Sequence, residues 1–220
     1  MNEKTAVVAG GTGLIGTQLL RLLDAAAEYS RVIALTRRPL AFAAARIETR
    51  AAEFERLSGL LADIAGGDID VFCCLGTTIR AAGSEAAFRR VDHDYVLLLA
   101  TWARAVDARR FLVVSALGAD ASSRVFYNRV KGESENELRT LGLRSLVIAR
   151  PSLLDGNRAD GRPGERIALS AARALRFLIP RSLQPVRDVD VAASLLLAAR
   201  APHPPPGIAS SAMHGACEQL

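Results

Sequence analysis

This 220-residue chain is predicted to form an α/β fold, a doubly wound parallel sheet of the Rossmann type. Three observations support this. Short apolar runs alternate with helix-length segments along most of the chain. The runs lack polar alternation, as strands buried on both faces do. The first run leads directly into a glycine-rich turn.

The elements follow in order. Residues 6–9, Ala-Val-Val-Ala, form the first strand, and residues 14–27 an amphipathic helix behind the glycines. Residues 32–35, 71–75, 111–114 and 146–149 are further buried strands, and 46–49 a weaker one. Residues 84–106, 123–141, 165–177 and 188–199 read as helices, so the crossovers are right-handed. There is no internal repeat. Residues 1–200 are expected to form one nucleotide-binding domain with a short substrate-loop region at its end. Residues 201–220, opening on Ala-Pro-His-Pro-Pro-Pro-Gly, are expected to be a flexible tail without a strand.

Gly10-Gly11-Thr12-Gly13-Leu14-Ile15-Gly16 satisfies both G-x-x-G-x-x-G and G-x-G-x-x-G. The motif follows a strand and opens a helix, the context in which it cradles a pyrophosphate. One glycine allows the tight turn, one lets the backbone approach the phosphates, and the last lets the helix pack on the strand. The N-terminus of the helix then faces the anion. Gly10, Thr12, Gly13, Leu14, Ile15 and Gly16 are the candidate contacts. An NAD site usually places an acidic residue after the second strand for the ribose 2′-hydroxyl. Here Thr36-Arg37-Arg38 stand instead, so Arg37 and Arg38 point to the 2′-phosphate of NADP. The alternative is a pair of solvated surface arginines.

Tyr127-Asn128-Arg129-Val130-Lys131 is a Y-x-x-x-K segment on a helix, with both side chains on one face. The chain has three Tyr and two Lys, so chance gives only ~0.03 such pairs. Ser115, twelve residues before Tyr127, ends a strand, where a doubly wound sheet places its ligand crevice.

The other numbers mostly exclude. Half the chain is hydrophobic and 23% is charged, as in a globular domain. The net charge is +5, but no basic run exceeds two residues and aromatics make up 5%, which argues against a nucleic-acid surface. No apolar run reaches the roughly 18–20 residues of a membrane span. The first apolar run reads as structure rather than a secretory signal. Three cysteines, two of them adjacent, are not a disulfide framework, and Cys73 and Cys74 fit buried strand packing. A cytoplasmic protein is expected. Of 28 basic residues only Lys4 and Lys131 are lysines.

These motifs resemble the short-chain dehydrogenase/reductase superfamily, and within it the atypical Tat-interacting-protein-like oxidoreductases. The resemblance runs to about residue 199. It rests on Gly10–Gly16, Phe72-Cys73-Cys74-Leu75-Gly76-Thr77-Thr78, Val91-Asp92-His93-Asp94-Tyr95-Val96, Ser115, Gly118-Ala119-Asp120, Tyr127-Asn128-Arg129-Val130-Lys131-Gly132-Glu133, Arg150-Pro151-Ser152 and Arg162-Pro163-Gly164-Glu165.

The resemblance implies roles. Tyr127 would be the acid of carbonyl reduction, or the base of alcohol oxidation. Lys131 would favour its phenolate by Coulomb attraction and bond the nicotinamide ribose. Ser115 would hold the substrate oxygen. Leu75, Gly76 and Thr77 would touch the cofactor across the crevice. Pro151 and Ser152 would lie near the nicotinamide, and Glu53 near the adenine. Asp92 stands where many members carry a relay Asn, and pairs or caps structurally in the simpler reading. His93 reads as a partly exposed helix histidine, Tyr95 as a core contact, and Arg89 and Arg90 as a solvated face.

No large substrate domain follows, so residues 155–164, rich in turn formers, are expected to loop over the site. Arg158 and Arg162 there would meet an anionic substrate or only solvent. Two functions stay open: an NADPH-dependent reductase of a small carbonyl compound, and an NADPH-binding regulatory or scaffold protein. Protein partners and oligomeric state are not legible.

Overall fold

The computed structural model describes residues 4–42, 44–64, 68–155 and 180–220. The predicted helix 165–177, the loop glycines and prolines from 156, and Arg158 and Arg162 lie outside the described residues. The strands are β1 (Lys4–Ala9), β2 (Tyr29–Thr36), β3 (Ile47–Ala51), β4 (Ile69–Cys73), β5 (Arg110–Val114), β6 (Leu146–Arg150), the short β7 (Leu154–Asp155) and β8 (Val186–Arg187), and β9 (Gly207–Ala209). The helices among the described residues are α1 (Leu14–Ala25), α2 (Leu57–Leu60), α3 (Ile79–Ala82), α4 (Glu85–Arg89), α5 (Tyr95–Ala105), α6 (Phe126–Thr140), α7 (Asp188–Arg200) and the short α8 (Ser210–Met213).

Seven strands form one parallel sheet in the order β3-β2-β1-β4-β5-β6-β9. The strand order reverses between β1 and β4, which creates the crevice at their carboxyl ends. Strand periodicity divides the core in two. Ala6, Val8, Val32, Ala34, Phe72, Leu112 and Val147 join the layer under α1 and α7. Val7, Ala9, Ile33, Leu35, Val71, Cys73, Phe111 and Ile148 join the layer under α2 and α5. A chain without polar alternation thus fills both faces, as the apolar runs require.

Two expectations are corrected. Residues 201–220 are not a strand-less tail. Gly207–Ala209 adds an edge strand to β6, with Ala149 opposite Ile208, and Met213 and Ala216 are buried. The prolines before Gly207 confine the segment to an edge without preventing it from pairing. The predicted helix 84–106 is also not uniform. It runs as α4, a π-helical segment Arg90–Asp94, and α5. The inserted turn carries Asp92 and His93 into the protein interior.

Candidate functional site

The glycine turn leaves β1 through Gly10, whose φ of +82° suits glycine. A Cβ at Gly10 would lie 2.4 Å from the Cys74 carbonyl oxygen, and one at Gly16 2.2 Å from the Gly10 oxygen. Backbone packing therefore demands glycine at both positions. Gly13, the N-cap of α1, is exposed, and a Cβ there would meet only the Gly10 oxygen, at 3.3 Å. Thr12 and Leu14 are half-buried and Ile15 is buried in the core. Arg37 and Arg38 are exposed just past β2 and form no ion pair with a described residue. Beside them, the Thr36 hydroxyl is buried with no hydrogen-bond partner among the described residues. Glu53 is exposed and faces Arg56 at 3.6 Å. Next to it Phe54 stacks on Tyr95 at 4.7 Å, and the Tyr95 hydroxyl donates to Glu55.

The carboxyl ends of β4, β5 and β6 supply the next side chains. Leu75 packs against the core, and Gly76 and Thr77 follow it at the surface of the crevice. The Thr77 N–H donates to Asp92 Oδ2 at 2.9 Å. Asp92 Oδ1 meets Lys131 Nζ at 2.8 Å, with both residues buried. Burial works most strongly on the Lys131 ammonium and against it, but the Asp92 charge and hydrogen bond, with Tyr127 and Cys73, together prevail and hold the group above its ordinary range. Asp92 therefore pairs with Lys131. Tyr127 lies one turn before Lys131 on α6, half-buried, with its ring 5.5 Å from that of Phe88.

Ser115 is buried at the end of β5, and its hydroxyl donates to Glu135 Oε1 at 2.6 Å. Its proton thus points to a carboxylate, whereas the sequence reading directed it to a substrate oxygen. Glu135, 2% exposed, also accepts from Arg150 Nε at 2.9 Å and Arg139 at 2.9 Å. Burial raises the Glu135 carboxyl, but hydrogen bonds from Arg150, Ser115 and Arg139 prevail and hold it below the usual carboxylate range. Sequence reasoning missed Glu135. The signal was present, because Tyr127, Lys131 and Glu135 recur at i, i+4 and i+8 on one helix face. A void of about 10 Å³ lies between Asp92, Ser115, Lys131 and Glu135. A larger cavity of about 360 Å³ opens behind Glu135, beside Asp120, Asn136 and Arg150.

Other expectations shift. His93 is buried, not partly exposed, and bridges Asp94 at 2.9 Å and Glu137 at 3.0 Å. Arg89 pairs with Glu133 across α4 and α6, so only Arg90 keeps to the solvated face. Pro151 is buried. The Ser152 N–H donates to the Ser210 hydroxyl, and its own hydroxyl donates to the Gln184 carbonyl, which ties it to the C-terminal segment. Among the described residues there is no cluster suited to a metal ion, and no helix is long and apolar enough to cross a membrane.

Residues 10–174 match the model of a family described as NAD(P)H-binding. The chain belongs to that family. This NAD(P)H-binding protein is 37% identical over 171 residues to Protein HTATIP2 of Rattus norvegicus, a match covering 76% of the chain and 70% of the rat protein. It is 36% identical over 160 residues to the mitochondrial Protein FMP52 of Eremothecium gossypii, covering 72% and 70%. Among solved structures it resembles the Bordetella bronchiseptica enzyme WbmH in complex with NAD+, at a TM-score of 0.69 and 15% identity, covering 93% of this chain and 74% of that one. At that identity the likeness is one of fold. The resemblance read from the motifs stands: the chain is a homologue of HTATIP2 and FMP52, on a fold shared with nucleotide-binding epimerases and dehydrogenases.

The geometry fits a dinucleotide. Gly13 leaves the N-terminus of α1 open where a side chain would stand, and the unpartnered Thr36 hydroxyl marks the end of β2, where the adenosine ribose of such ligands is held.

Proposed function

We propose that the protein is an NADPH-dependent oxidoreductase of the atypical short-chain dehydrogenase type, which reduces a small carbonyl compound. The observation that carries the reading is the buried Lys131 one helical turn from Tyr127, at the crevice that the glycine loop borders. The bound nicotinamide would supply hydride chemistry. In this reading Gly10, Thr12, Gly13, Leu14, Ile15 and Gly16 hold the phosphates, and Arg37 with Arg38 selects the 2′-phosphate. Glu53, Leu75, Gly76, Thr77, Pro151 and Ser152 line the remaining cofactor path. Tyr127 gives its proton to the substrate oxygen, Lys131 holds the ribose and favours the phenolate, and Ser115 orients the substrate.

The test is NADPH consumption against a panel of carbonyl compounds, beside Tyr127→Phe. Turnover that needs the phenol supports the proposal; turnover indifferent to Tyr127→Phe refutes it. Arg37→Ala should weaken NADPH binding about tenfold and leave NADH binding within about twofold, the loss of one charge-assisted phosphate contact. Equal losses for both cofactors refute NADP selection.

A second reading is an NADPH-binding regulatory or scaffold protein without turnover. It is favoured by one arrangement: Ser115 and Lys131 are both engaged inside the protein, by Glu135 and Asp92. Absence of turnover together with tight NADPH binding would select it. A cytoplasmic location belongs to the same proposal. The name of the Eremothecium gossypii relative specifies the mitochondrion, and cell fractionation distinguishes the two.

A further inference from the structure

Three groups act on the Lys131 ammonium, and one of them touches it. Asp92, brought in by the π-helical turn, touches it at 2.8 Å and is 1% exposed. Tyr127, one turn away on the same helix, is near enough to act on it electrostatically. The Cys73 thiol of β4 is the third, pushed by burial up to about 12 and so neutral. Of the other charges on the facing elements, Arg89 pairs with Glu133, Glu135 with Arg150 and Arg139, and His93 lies between Asp94 and Glu137, while Arg90 is exposed and Arg129 donates to the Ser123 carbonyl. The second Asp92 oxygen accepts from the Thr77 N–H, so the carboxylate cannot turn away from Lys131 without stranding a donor of the 75–77 loop.

We propose that Asp92 is the positioning residue of the Tyr127–Lys131 pair: its buried carboxylate holds the ammonium in place and offsets its field at the phenol. The inference rests on the oxidoreductase reading for its consequence, though not for its test. A lone lysine beside a tyrosine favours the phenolate. The Asp92 carboxylate, 2.8 Å from the ammonium, offsets part of that favour. The field on the phenol then depends on whether the ammonium stays with the carboxylate. The Leu75, Gly76 and Thr77 loop is bonded to the same carboxylate, so whatever seats against that loop also bears on Lys131.

The test needs no substrate. Tyrosinate absorbance is followed against pH in wild type, Asp92→Asn, Lys131→Met and the double variant. A Tyr127→Phe counterpart of each isolates the Tyr127 signal. Tyr29 and Tyr95 are both held above the ordinary phenol range, Tyr29 by burial and Asp70, Tyr95 by burial and Glu55. Asp92→Asn should lower the Tyr127 midpoint by about one pH unit or more, because it keeps the shape and uncovers the ammonium. Lys131→Met should raise it, and adding Asp92→Asn to Lys131→Met should bring it back down. If Asp92→Asn does not fold, the last two variants carry the test alone. A midpoint unmoved by Asp92→Asn, or a double variant that titrates like Lys131→Met, overturns the proposal. A residue with only a structural role would change melting temperature and leave these midpoints alone. NADPH turnover, measured separately, decides the oxidoreductase reading whichever way the titration falls.

Discussion

Glu135→Gln tests the buried network behind Ser115. The substitution keeps the shape but removes the charge and one acceptor. The native carboxylate accepts from Ser115 at 2.6 Å, from Arg139 at 2.9 Å and from Arg150 at 2.9 and 3.1 Å. Removing one member of a buried charge pair costs about 3–5 kcal/mol when the partner stays buried. Here the side chains of Arg150 and Arg139 are 40% and 47% exposed and can take up water. The expected loss is therefore smaller, about 2–3 kcal/mol, close to one or two charge-assisted hydrogen bonds. For a domain of this size that lowers Tm by roughly 5–10 °C. The pH dependence fixes the cause. The folded-state carboxyl lies below the unfolded one, so the Glu135 contribution is complete above about pH 5. It fades as pH falls below the ordinary glutamate range, about 4.3, and through the folded value. Wild type and Glu135→Gln should thus converge in melting scans toward pH 3. A gap that stays constant from pH 7 to pH 3, or no gap at pH 7, would refute the network as the source of stability.

Two further outcomes concern packing. Gly16→Ala puts a Cβ 2.2 Å from the Gly10 oxygen and should cost about 1–3 kcal/mol in urea unfolding while weakening NADPH binding; wild-type values for both would contradict the close helix–strand contact. Met213→Ala, at a side chain fully buried in the C-terminal segment, should cost about 2–4 kcal/mol, whereas a flexible tail would make it neutral.

The parts that were legible in the residues are those where local chemistry has one solution. Two-sided burial of Val, Ile, Leu and Ala in runs such as Ala6–Ala9 leaves little besides a parallel sheet. The clash distances at Gly10 and Gly16 explain why a glycine motif in that context reads so directly. Tyr127 and Lys131 share a face because helical spacing alone puts them there. The parts that were not legible depend on what arrives from elsewhere in the chain. Proline-rich composition suggested a loose end after Ala201, yet a free edge on β6 gave Gly207–Ala209 a partner. Helical periodicity across 84–106 carried no sign of the π-helical turn that brings Asp92 inward.

The sequence alone determined the sheet, the glycine turn and the placing of Ser115 at a strand end and of Tyr127 and Lys131 on one helix face, because periodicity and motif spacing act over a few residues. Tertiary structure decided who the partners of that set are. Asp92 lies 39 residues from Lys131, and Glu135 lies 20 from Ser115. Only packing brings these charges together, in an interior where an unpaired charge is too costly to keep. The spacing in the chain put Tyr127 and Lys131 on one helix face, and the fold set the charges around them.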